Sequence, residues 1–333
     1  MIVIKTEKML QEIKQRKAKK VLIQAPEGIK GIVSRFIPEL IEETGANILI
    51  HGEACYGGCD LGLVDAERMN IDLVLHVGHT PYFTNKDDPK LVFIEAKDNQ
   101  EFQNSTLQEI LKISKGKTMG LLSSAQYLHH LPKIQDFLNK NNIKSIIGRS
   151  TSRFYLPGQV LGCEVSTAKS IRKEIDAYLI LGGGDFHALG IALWTGKESW
   201  LADPYKEAIL DLNPMVRKKL AIIASKIEKA KQAKNFGVIL GLKEGQMRER
   251  EETNITKKLK KTGKKTIELA LREVTPERLM YYNWIDCFIQ TLCPRVSVED
   301  LENYNVPMLN YEQFQILVGE KEFHDIYPDI KMR

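Results

Sequence analysis

Short apolar runs alternate with amphipathic stretches along most of this chain. Apolar runs open at Val21, Met119 and Gly237, and each of them ends in small or polar residues. After each run, apolar residues recur at three- and four-residue spacing, which is the period of an amphipathic helix. The predicted helices cover residues 29–43, 126–141 and 246–262.

The pattern of strand, helix, strand, helix, strand occurs three times, and a parallel sheet covered by helices is its usual outcome. We therefore expect an α/β protein of three similar strand–helix repeat domains with mainly parallel sheets. The predicted boundaries are residues 1–115, 116–232 and 233–333. A chain of 333 residues is long enough for two or three domains.

The third strand of each repeat begins with Ile-Asp and an apolar run, at Ile71, Ile175 and Ile285. The residues eight positions later are His79, Gly183 and Cys293. Ligands of parallel α/β sheets gather at the carboxyl ends of the strands. The sequence therefore predicts a site at the edge where these third strands end.

Three cysteines stand in glycine-rich or turn-like sequences, one in each repeat: Cys59, Cys163 and Cys293. Cys59 and Cys163 come just before the second helix of their repeats, in loops that also leave the carboxyl ends of strands. We expect the three thiolates to converge on one point. Three thiolates with an open position suit an iron–sulfur cluster that keeps one iron free for a ligand.

Two further cysteines receive different interpretations. Cys287 aligns with Leu73 and Ala177 in the middle of a third strand, so a buried, inert thiol is expected. Cys55 and Cys59 form C-x3-C, but Gly62 occupies the position of the third cysteine in the radical S-adenosylmethionine motif. Cys55 is therefore expected beside the cluster rather than on it.

A structural zinc site is an alternative, because zinc normally takes a fourth protein ligand. The candidate histidines are His51, His76, His79 and His187. A zinc-stabilised scaffold without catalytic activity would follow from that interpretation.

The N-terminal segment has charged residues throughout and no apolar core of a signal peptide, and no apolar run approaches the length of a bilayer span. A cytoplasmic protein without membrane contact is expected, and its five cysteines then point to metal, catalysis or burial. The net charge is +5, with lysines clustered in 14–20 and 257–265. These clusters are interpreted as solvated helix faces, with docking of an acidic or RNA-bound partner as the alternative. Aromatic interleaving is missing, so direct nucleic-acid binding is not expected.

Nine segments together resemble the diphthamide synthase family, both its archaeal subunit and the homologous pair of eukaryotic subunits. In chain order they are QAPEGI, GEACYGGCD, LHVGHT, SSAQYLHHL, LPGQVLGC, LGGGDFHALG, DPY, CPR and PMLNYEQF. The resemblance covers roughly residues 20–320.

The resemblance implies a homodimer whose subunits each have three α/β domains around a central [4Fe-4S] cluster. The family's cluster cysteines fall on Cys59, Cys163 and Cys293 here. The implied reaction transfers the 3-amino-3-carboxypropyl group of S-adenosylmethionine to carbon 2 of a histidine in translation elongation factor 2. It follows a noncanonical radical route that needs an electron donor and releases methylthioadenosine.

Further contacts to S-adenosylmethionine are expected from residues around the cluster. Arg295 is the first choice for the methionine carboxylate, and an arginine paired with Asp or Glu at a domain seam is the alternative. The other candidates, at strand ends that face the same centre, are Gly183, Gly184, Asp185, His187, Gln24, Glu27, His79 and Gln126.

Quinolinate synthase is a rival resemblance. It is also triplicated, with one cysteine per domain and an open iron. In that case the iron would act as a Lewis acid for dehydration, without S-adenosylmethionine. The CPR and YGGCD segments favour the diphthamide family.

Overall fold

Four sheets make up the β-structure described by the computed structural model, which covers residues 2–81, 88–150, 156–206 and 208–328. The first large sheet has the order β3-β2-β4-β5, and all of its strands are parallel. Its strands are β2 (Lys20–Gln24), β3 (Asn47–Ile50), β4 (Leu73–Val77) and β5 (Leu91–Ile94). A small antiparallel pair is formed by β1 (Ile2–Ile4), which precedes these strands in the chain, and β6 (Ala96–Asp98), which follows them.

The second and third sheets share the arrangement of the first. In each, the first strand of the repeat lies between the second and the third. The second has the order β11-β10-β9-β7-β8, from β7 (Met119–Ser123), β8 (Ser145–Ile147), β9 (Ala177–Leu181), β10 (Glu198–Asp203) and β11 (Ala208–Asp211). The third has the order β13-β12-β14-β15, from β12 (Asn235–Gly241), β13 (Lys265–Leu271), β14 (Cys287–Gln290) and β15 (Met308–Leu309). Only β11 runs antiparallel within these two sheets, so the α/β class with mainly parallel sheets is confirmed.

Helices connect the strands. In the first third of the chain they are α1 (Thr6–Arg16), α2 (Glu27–Ser34), α3 (Ile37–Thr44), α4 (Leu63–Arg68) and α5 (Asn104–Ser114). The middle third has α6 (Leu131–Lys140), α7 (Ser166–Lys169), α8 (Phe186–Thr195) and α9 (Asn213–Lys231). The last third has α10 (Glu249–Lys261), α11 (Pro276–Leu279), α12 (Tyr311–Leu317) and α13 (Phe323–Ile326).

Two predicted helices are interrupted in the structure. The helix predicted over 29–43 is α2 and α3, and Pro38 lies in the first turn of α3. The helix predicted over 126–141 begins as a 3-10 helix, Ala125–His130, before α6 starts with Pro132 in its first turn. Proline favours the first turn of a helix because its missing N–H is not needed there, so each proline marks a new start. The third predicted helix, 246–262, is α10.

The three repeats share one register between their first and third strands. The paired residues are Val21 with Leu73, Met119 with Ala177, and Phe236 with Cys287. Cys287 therefore begins β14 inside the sheet and is fully buried, as predicted, and burial raises the pKa of its thiol.

The aspartate before each third strand fastens that strand to the central one. Asp72 accepts the backbone N–H groups of Lys19 and Lys20, both at 2.9 Å. Asp286 accepts those of Lys234 and Asn235 in the third repeat, and Asp176 accepts that of Thr118 in the second. These aspartates explain why Ile-Asp recurs in the sequence.

Helix α9 is shared by two hydrophobic cores. Val216, in its first half, is buried in the core that covers the second sheet. Ile223, Ile227 and Ala230, in its second half, are buried in the core of the third sheet. Within the described residues, no helix is both long and apolar enough to cross a membrane.

Candidate functional site

Each of the three singled-out cysteines lies in a loop after the carboxyl end of a strand. Cys59 is in the loop between β3 and α4, Cys163 lies between β8 and α7, and Cys293 follows β14 directly. Cys59 lies near enough to Cys293 to contribute to the raised pKa of its thiol, although burial is the larger cause and takes that pKa to about 11. Loops of the first and third sheets therefore meet at these two thiols.

The Cys163 loop is seated on the start of α8. The backbone N–H of Gly162 donates a hydrogen bond to Nδ1 of His187 at 3.0 Å. A Cβ on Gly190 would lie 2.2 Å from the carbonyl oxygen of Gly162, so only glycine fits where the loop crosses the helix. This contact ties Cys163 to the loop that follows β9.

The Cys59 loop contacts a 3-10 helix, Glu244–Gln246, which follows β12 of the third sheet. The backbone N–H of Gly245 donates to the carbonyl of Cys59 at 2.9 Å, and Nε2 of Gln246 donates to its Sγ at 3.4 Å. A Cβ on Gly245 would lie 2.6 Å from Cα of Cys59. The two backbones therefore touch, and this segment positions the Cys59 thiol.

Lys243, just before this segment, is buried against the residue that follows Cys59. Its Nζ lies 2.6 Å from Oδ2 of Asp60, 3.7 Å from Glu273 and 4.4 Å from the centre of the Tyr56 ring. Burial raises the pKa of Asp60 even though Lys243 favours its charged form. This pair joins the loop after β12 of the third sheet to the Cys59 loop of the first sheet.

A cavity of about 380 Å³ opens beside Cys293. Its lining includes Cys293, Arg295, Phe186, His187, Lys243 and Gln246. Small-molecule sites fall in the range of about 300–1,000 Å³, with a few polar groups in a largely apolar wall. The cavity is therefore of the size and lining that a small substrate requires.

Arg295 lines the cavity and also forms an ion pair with an acidic residue, which was the alternative considered for it. Its guanidinium lies 5.6 Å from the centre of the Phe186 ring on the cavity wall, and its Nε lies 2.7 Å from Glu299. Asp300 is a more distant partner, at 3.8 Å. Burial raises the pKa of Glu299. The ion pair holds the arginine in place while its side chain remains partly exposed at the cavity.

The glycine-rich loop after β9 leads into α8, whose first residues, Phe186 and His187, line the same cavity; Gly183, Gly184 and Asp185 lie outside its lining. Gly183 and Gly184 carry the chain to α8, with Gly184 at a φ of +80°, and Asp185 occupies the position just before that helix. Burial, together with the positive charge of Arg295, lowers the pKa of His187 to about 4. His187 is therefore neutral at pH 7, and its Nδ1 accepts the Gly162 N–H.

Gln24 and His79 belong to a buried polar group at the end of the first sheet. Oε1 of Gln24 lies 3.0 Å from Nδ1 of His76, and Nε2 of His76 lies 2.9 Å from Nδ1 of His79. The Sγ of Cys55 lies 3.9 Å from His79 and 4.0 Å from His76. Burial lowers the pKa of His79 to about 4, and the nearby His187 acts in the same direction.

The two remaining candidates lie around this group. Gln126 donates from Nε2 to the carbonyl of Gly78 at 3.1 Å, and so joins the second repeat to the first. Glu27, in the first turn of α2, pairs with Lys30 at 3.0 Å, and its side chain is more than half exposed. Glu27 therefore lies at the rim of the site.

Sequence reasoning missed Lys243 and Gln246. Both follow β12, the strand that corresponds to β2, at whose end Gln24 was selected, and the same rule applied to the third repeat would have selected them. Tyr56 and Phe186 were also missed. They stand next to glycine-rich segments already noted, but nothing in their own positions marks them.

The sequence profile of the diphthamide synthesis protein family matches residues 25–328. This chain belongs to that family. The match begins directly after β2 and covers the other strands of the three large sheets and all three cysteine loops. It confirms the resemblance drawn from the nine segments.

Relatives within the family match nearly all of this chain and between 76% and 93% of their own length. The chain is 34% identical to the 2-(3-amino-3-carboxypropyl)histidine synthase of Pyrococcus horikoshii, across 95% of this chain and 91% of that protein. It is 27% identical to the enzyme of the same name from Methanocaldococcus jannaschii, across 98% and 93%. Subunit 1 of the Saccharomyces cerevisiae enzyme is 28% identical across 96% of this chain and 76% of its own.

The crystal structure of Pyrococcus horikoshii Dph2 with a 4Fe-4S cluster superposes on this chain with a TM-score of 0.87. The sequence identity is 31%, and the superposition covers 100% of this chain and 97% of that one. The family fold therefore extends through the whole of this chain.

Proposed function

We propose that this chain is a 2-(3-amino-3-carboxypropyl)histidine synthase that performs the first step of diphthamide biosynthesis. It would transfer the 3-amino-3-carboxypropyl group of S-adenosylmethionine to a histidine carbon of translation elongation factor 2. The observation that carries the proposal is the meeting of cysteine loops from separate sheets beside a substrate-sized cavity, in a fold shared with a cluster-containing relative.

A [4Fe-4S] cluster held by Cys59, Cys163 and Cys293 fits the residues around it. Burial raises the pKa values of Cys59 and Cys293, so without metal both are neutral thiols that would release protons on binding. Gln246 already donates an N–H to the Cys59 sulfur, as groups around cluster sulfurs do. Three cysteines leave one iron without a protein ligand, and that is where a substrate would bind.

The cluster, when bound, would supply one electron for cleavage of a carbon–sulfur bond of the sulfonium. The protein's own residues would bind and orient the substrate at the cavity. The cavity wall carries three cationic residues, Arg295, Lys243 and Arg272, and Arg295 is assigned to the methionine carboxylate because it stands next to Cys293 in the chain. Phe186 beside it offers a flat apolar face. His187 is neutral, so it adds no positive charge that would repel the sulfonium.

The glycine loop and the polar group of the first sheet lie outside the cavity lining and would supply further contacts around it. Gly183, Gly184 and Asp185 approach from the second repeat, and Gln24, Glu27, His79 and Gln126 approach from the first two repeats. We propose these residues as contacts that shape the site rather than as groups that react.

Membership of the family extends the proposal to the acceptor protein, the electron donor and the oligomeric state. Translation elongation factor 2 is the protein substrate, an electron donor reduces the cluster, and the chain acts as a homodimer in the cytoplasm. Direct nucleic-acid binding and membrane contact play no part in this function.

Anaerobically purified protein mixed with S-adenosylmethionine and dithionite tests the reaction, with products separated by chromatography. Methylthioadenosine supports the proposal, and addition of elongation factor 2 should then yield the modified histidine. Deoxyadenosine would indicate cleavage of the other carbon–sulfur bond and would contradict it. A cluster-bearing protein that cleaves nothing would favour Lewis-acid chemistry like that of quinolinate synthase. Colourless protein containing zinc and no iron would favour a scaffold.

A further inference from the structure

A second group of metal-ligand side chains lies at the end of the first sheet, and of its members the proposed reaction assigns a part only to His79, as a contact that shapes the site. Among the described residues, Cys55, His76 and His79 form a group whose ligand atoms all lie within 4.8 Å of one another. We propose that these three residues bind a single zinc-class divalent cation, separate from the cluster at Cys59, Cys163 and Cys293.

The distances suit a tetrahedral ion after small movements. Zinc binds sulfur at about 2.3 Å and imidazole nitrogen at about 2.0–2.1 Å, which places tetrahedral ligand atoms roughly 3.3–3.6 Å apart. The two nitrogens are 2.9 Å apart, and the Cys55 sulfur is 3.9 and 4.0 Å from them. Shifts of a few tenths of an ångström would bring all three to ligating distance.

Gln24 prepares His76 for this role. Its Oε1, at 3.0 Å from Nδ1 of His76, is an acceptor for the Nδ1–H. The proton is then fixed on Nδ1, and the lone pair of Nε2 points towards His79 and Cys55. A second residue that holds the far nitrogen of a histidine is the usual arrangement around metal ligands.

The surroundings also suit a cation and a soft ligand set. Burial raises the pKa of Cys55 to about 12; Asp60 and Glu27 act in the same direction, and Lys243, the partner of Asp60, acts against it. Both carboxylates would favour a positive ion, and the ion would replace the proton of the thiol. One thiolate and two imidazoles match zinc better than magnesium or calcium, which prefer oxygen ligands.

Three protein ligands leave a fourth position for water or another donor. Closed structural zinc sites have four protein ligands, whereas sites with three retain an exchangeable position. His79 lies near His187, which lines the cavity. The proposed ion is therefore next to the substrate cavity but is held by the first sheet alone.

Zinc binding by the cluster-loaded protein tests this site. The protein is prepared with metal-free reagents, dialysed against micromolar Zn²⁺ and analysed for zinc and iron, with X-ray absorption at the zinc edge. We expect about one zinc per chain, with sulfur at about 2.3 Å and nitrogen at about 2.0 Å. Cys55→Ala should bind at least tenfold less zinc with unchanged iron, whereas Cys287→Ala, the matched buried cysteine, should bind it like the parent.

A triple Cys59→Ser, Cys163→Ser, Cys293→Ser variant separates this site from the cluster, and it should still bind zinc through Cys55. The proposal is overturned if the parent binds no zinc, or if Cys55→Ala binds as much as the parent. It is also overturned if iron falls as zinc rises, because zinc would then have entered the cluster site. These readings do not depend on S-adenosylmethionine cleavage.

Discussion

Nζ of Lys243 lies 2.6 Å from Oδ2 of Asp60, and this buried ion pair joins the third sheet to the residue after Cys59. Both side chains are less than a tenth exposed. Asp60 follows Cys59 in the chain and Tyr56 precedes it, and the ring of Tyr56 also lies against Lys243. Lys243 therefore contacts the chain both before and after Cys59. The position of the Cys59 thiol is thus set by contacts between two sheets.

Replacement of Lys243 by Met should destabilise the protein by about 3 kcal/mol, because it leaves the buried Asp60 carboxylate without its partner. Urea unfolding followed by circular dichroism measures the change. Lys133→Met breaks an ion pair with Glu101 in which both side chains are more than 60% exposed, and it should cost less than about 1 kcal/mol. Equal losses in the two variants would show that burial of the Lys243 pair is not what matters.

Removal of any one proposed cluster cysteine should empty the site. Cys59→Ala, Cys163→Ala and Cys293→Ala should each lose iron, sulfide and brown colour, because two thiolates cannot hold the cluster against hydrolysis and oxidation. Iron and sulfide assays on anaerobic protein measure this. Cys287→Ala should retain the cluster, since that thiol lies within β14. An iron-free Cys287→Ala protein would show that the shared strand register does not separate ligands from core cysteines.

The hydrogen bond from Gln246 to the Cys59 sulfur should raise the reduction potential of the bound cluster. Hydrogen bonds to cluster sulfurs stabilise the more negative, reduced state. Gln246→Leu removes the donor at similar size, so the potential measured by titration under electron paramagnetic resonance should become more negative. Gln232→Leu, just beyond α9, serves as the surface control. An unchanged potential in Gln246→Leu would contradict this role.

Loss of the Arg295 guanidinium should weaken S-adenosylmethionine binding by roughly tenfold to a hundredfold, the range for a hydrogen bond to a charged group. The cluster should remain, because Arg295 holds no iron. Calorimetry on the brown Arg295→Ala protein measures the affinity. Arg16→Ala, which removes an arginine paired with Glu12 on α1, is the matched control. Unchanged affinity with lower thermal stability would assign Arg295 to the ion pair with Glu299 alone.

The aspartate before β14 should make stability depend on pH. Backbone N–H groups of Lys234 and Asn235 lower the pKa of Asp286 below its ordinary value. Its contribution is therefore complete above the unfolded-state pKa, about 3.9, and is lost as pH falls through the lower folded-state pKa. Asp286→Asn should reduce the difference in unfolding free energy between pH 7 and pH 3. Asp136→Asn, on an exposed face of α6, should leave that difference as it is in the parent.

The repeat itself was predictable because it is written in local patterns. Each third strand carries Ile-Asp, and Asp72 and Asp286 turn out to fasten it to the central strand. A buried isoleucine followed by an aspartate just before an apolar run can be recognised in a single sequence, without knowledge of the residues that the aspartate contacts. The burial of Cys287 followed from the same register.

Contacts between repeats were not predictable from the sequence. Lys243 and Asp60 are far apart along the chain, and each by itself has the pattern of an ordinary loop residue. The break between α2 and α3 was also missed, because Pro38 lies inside an otherwise continuous amphipathic pattern and starts a helix rather than ending one. The group of Cys55, His76 and His79 depends on how a loop folds back over β4, which periodicity does not report.

Helix α9 contributes buried side chains to the cores of both the second and the third sheet, and we expect it to couple their unfolding. Its first half completes one apolar core and its second half completes the next, so separation of the sheets would expose buried side chains from both at once. Local opening of the third sheet is thereby coupled to the integrity of the second. We therefore expect the loops that carry Cys163 and Cys293, one on each of these sheets, to be lost together when the protein unfolds.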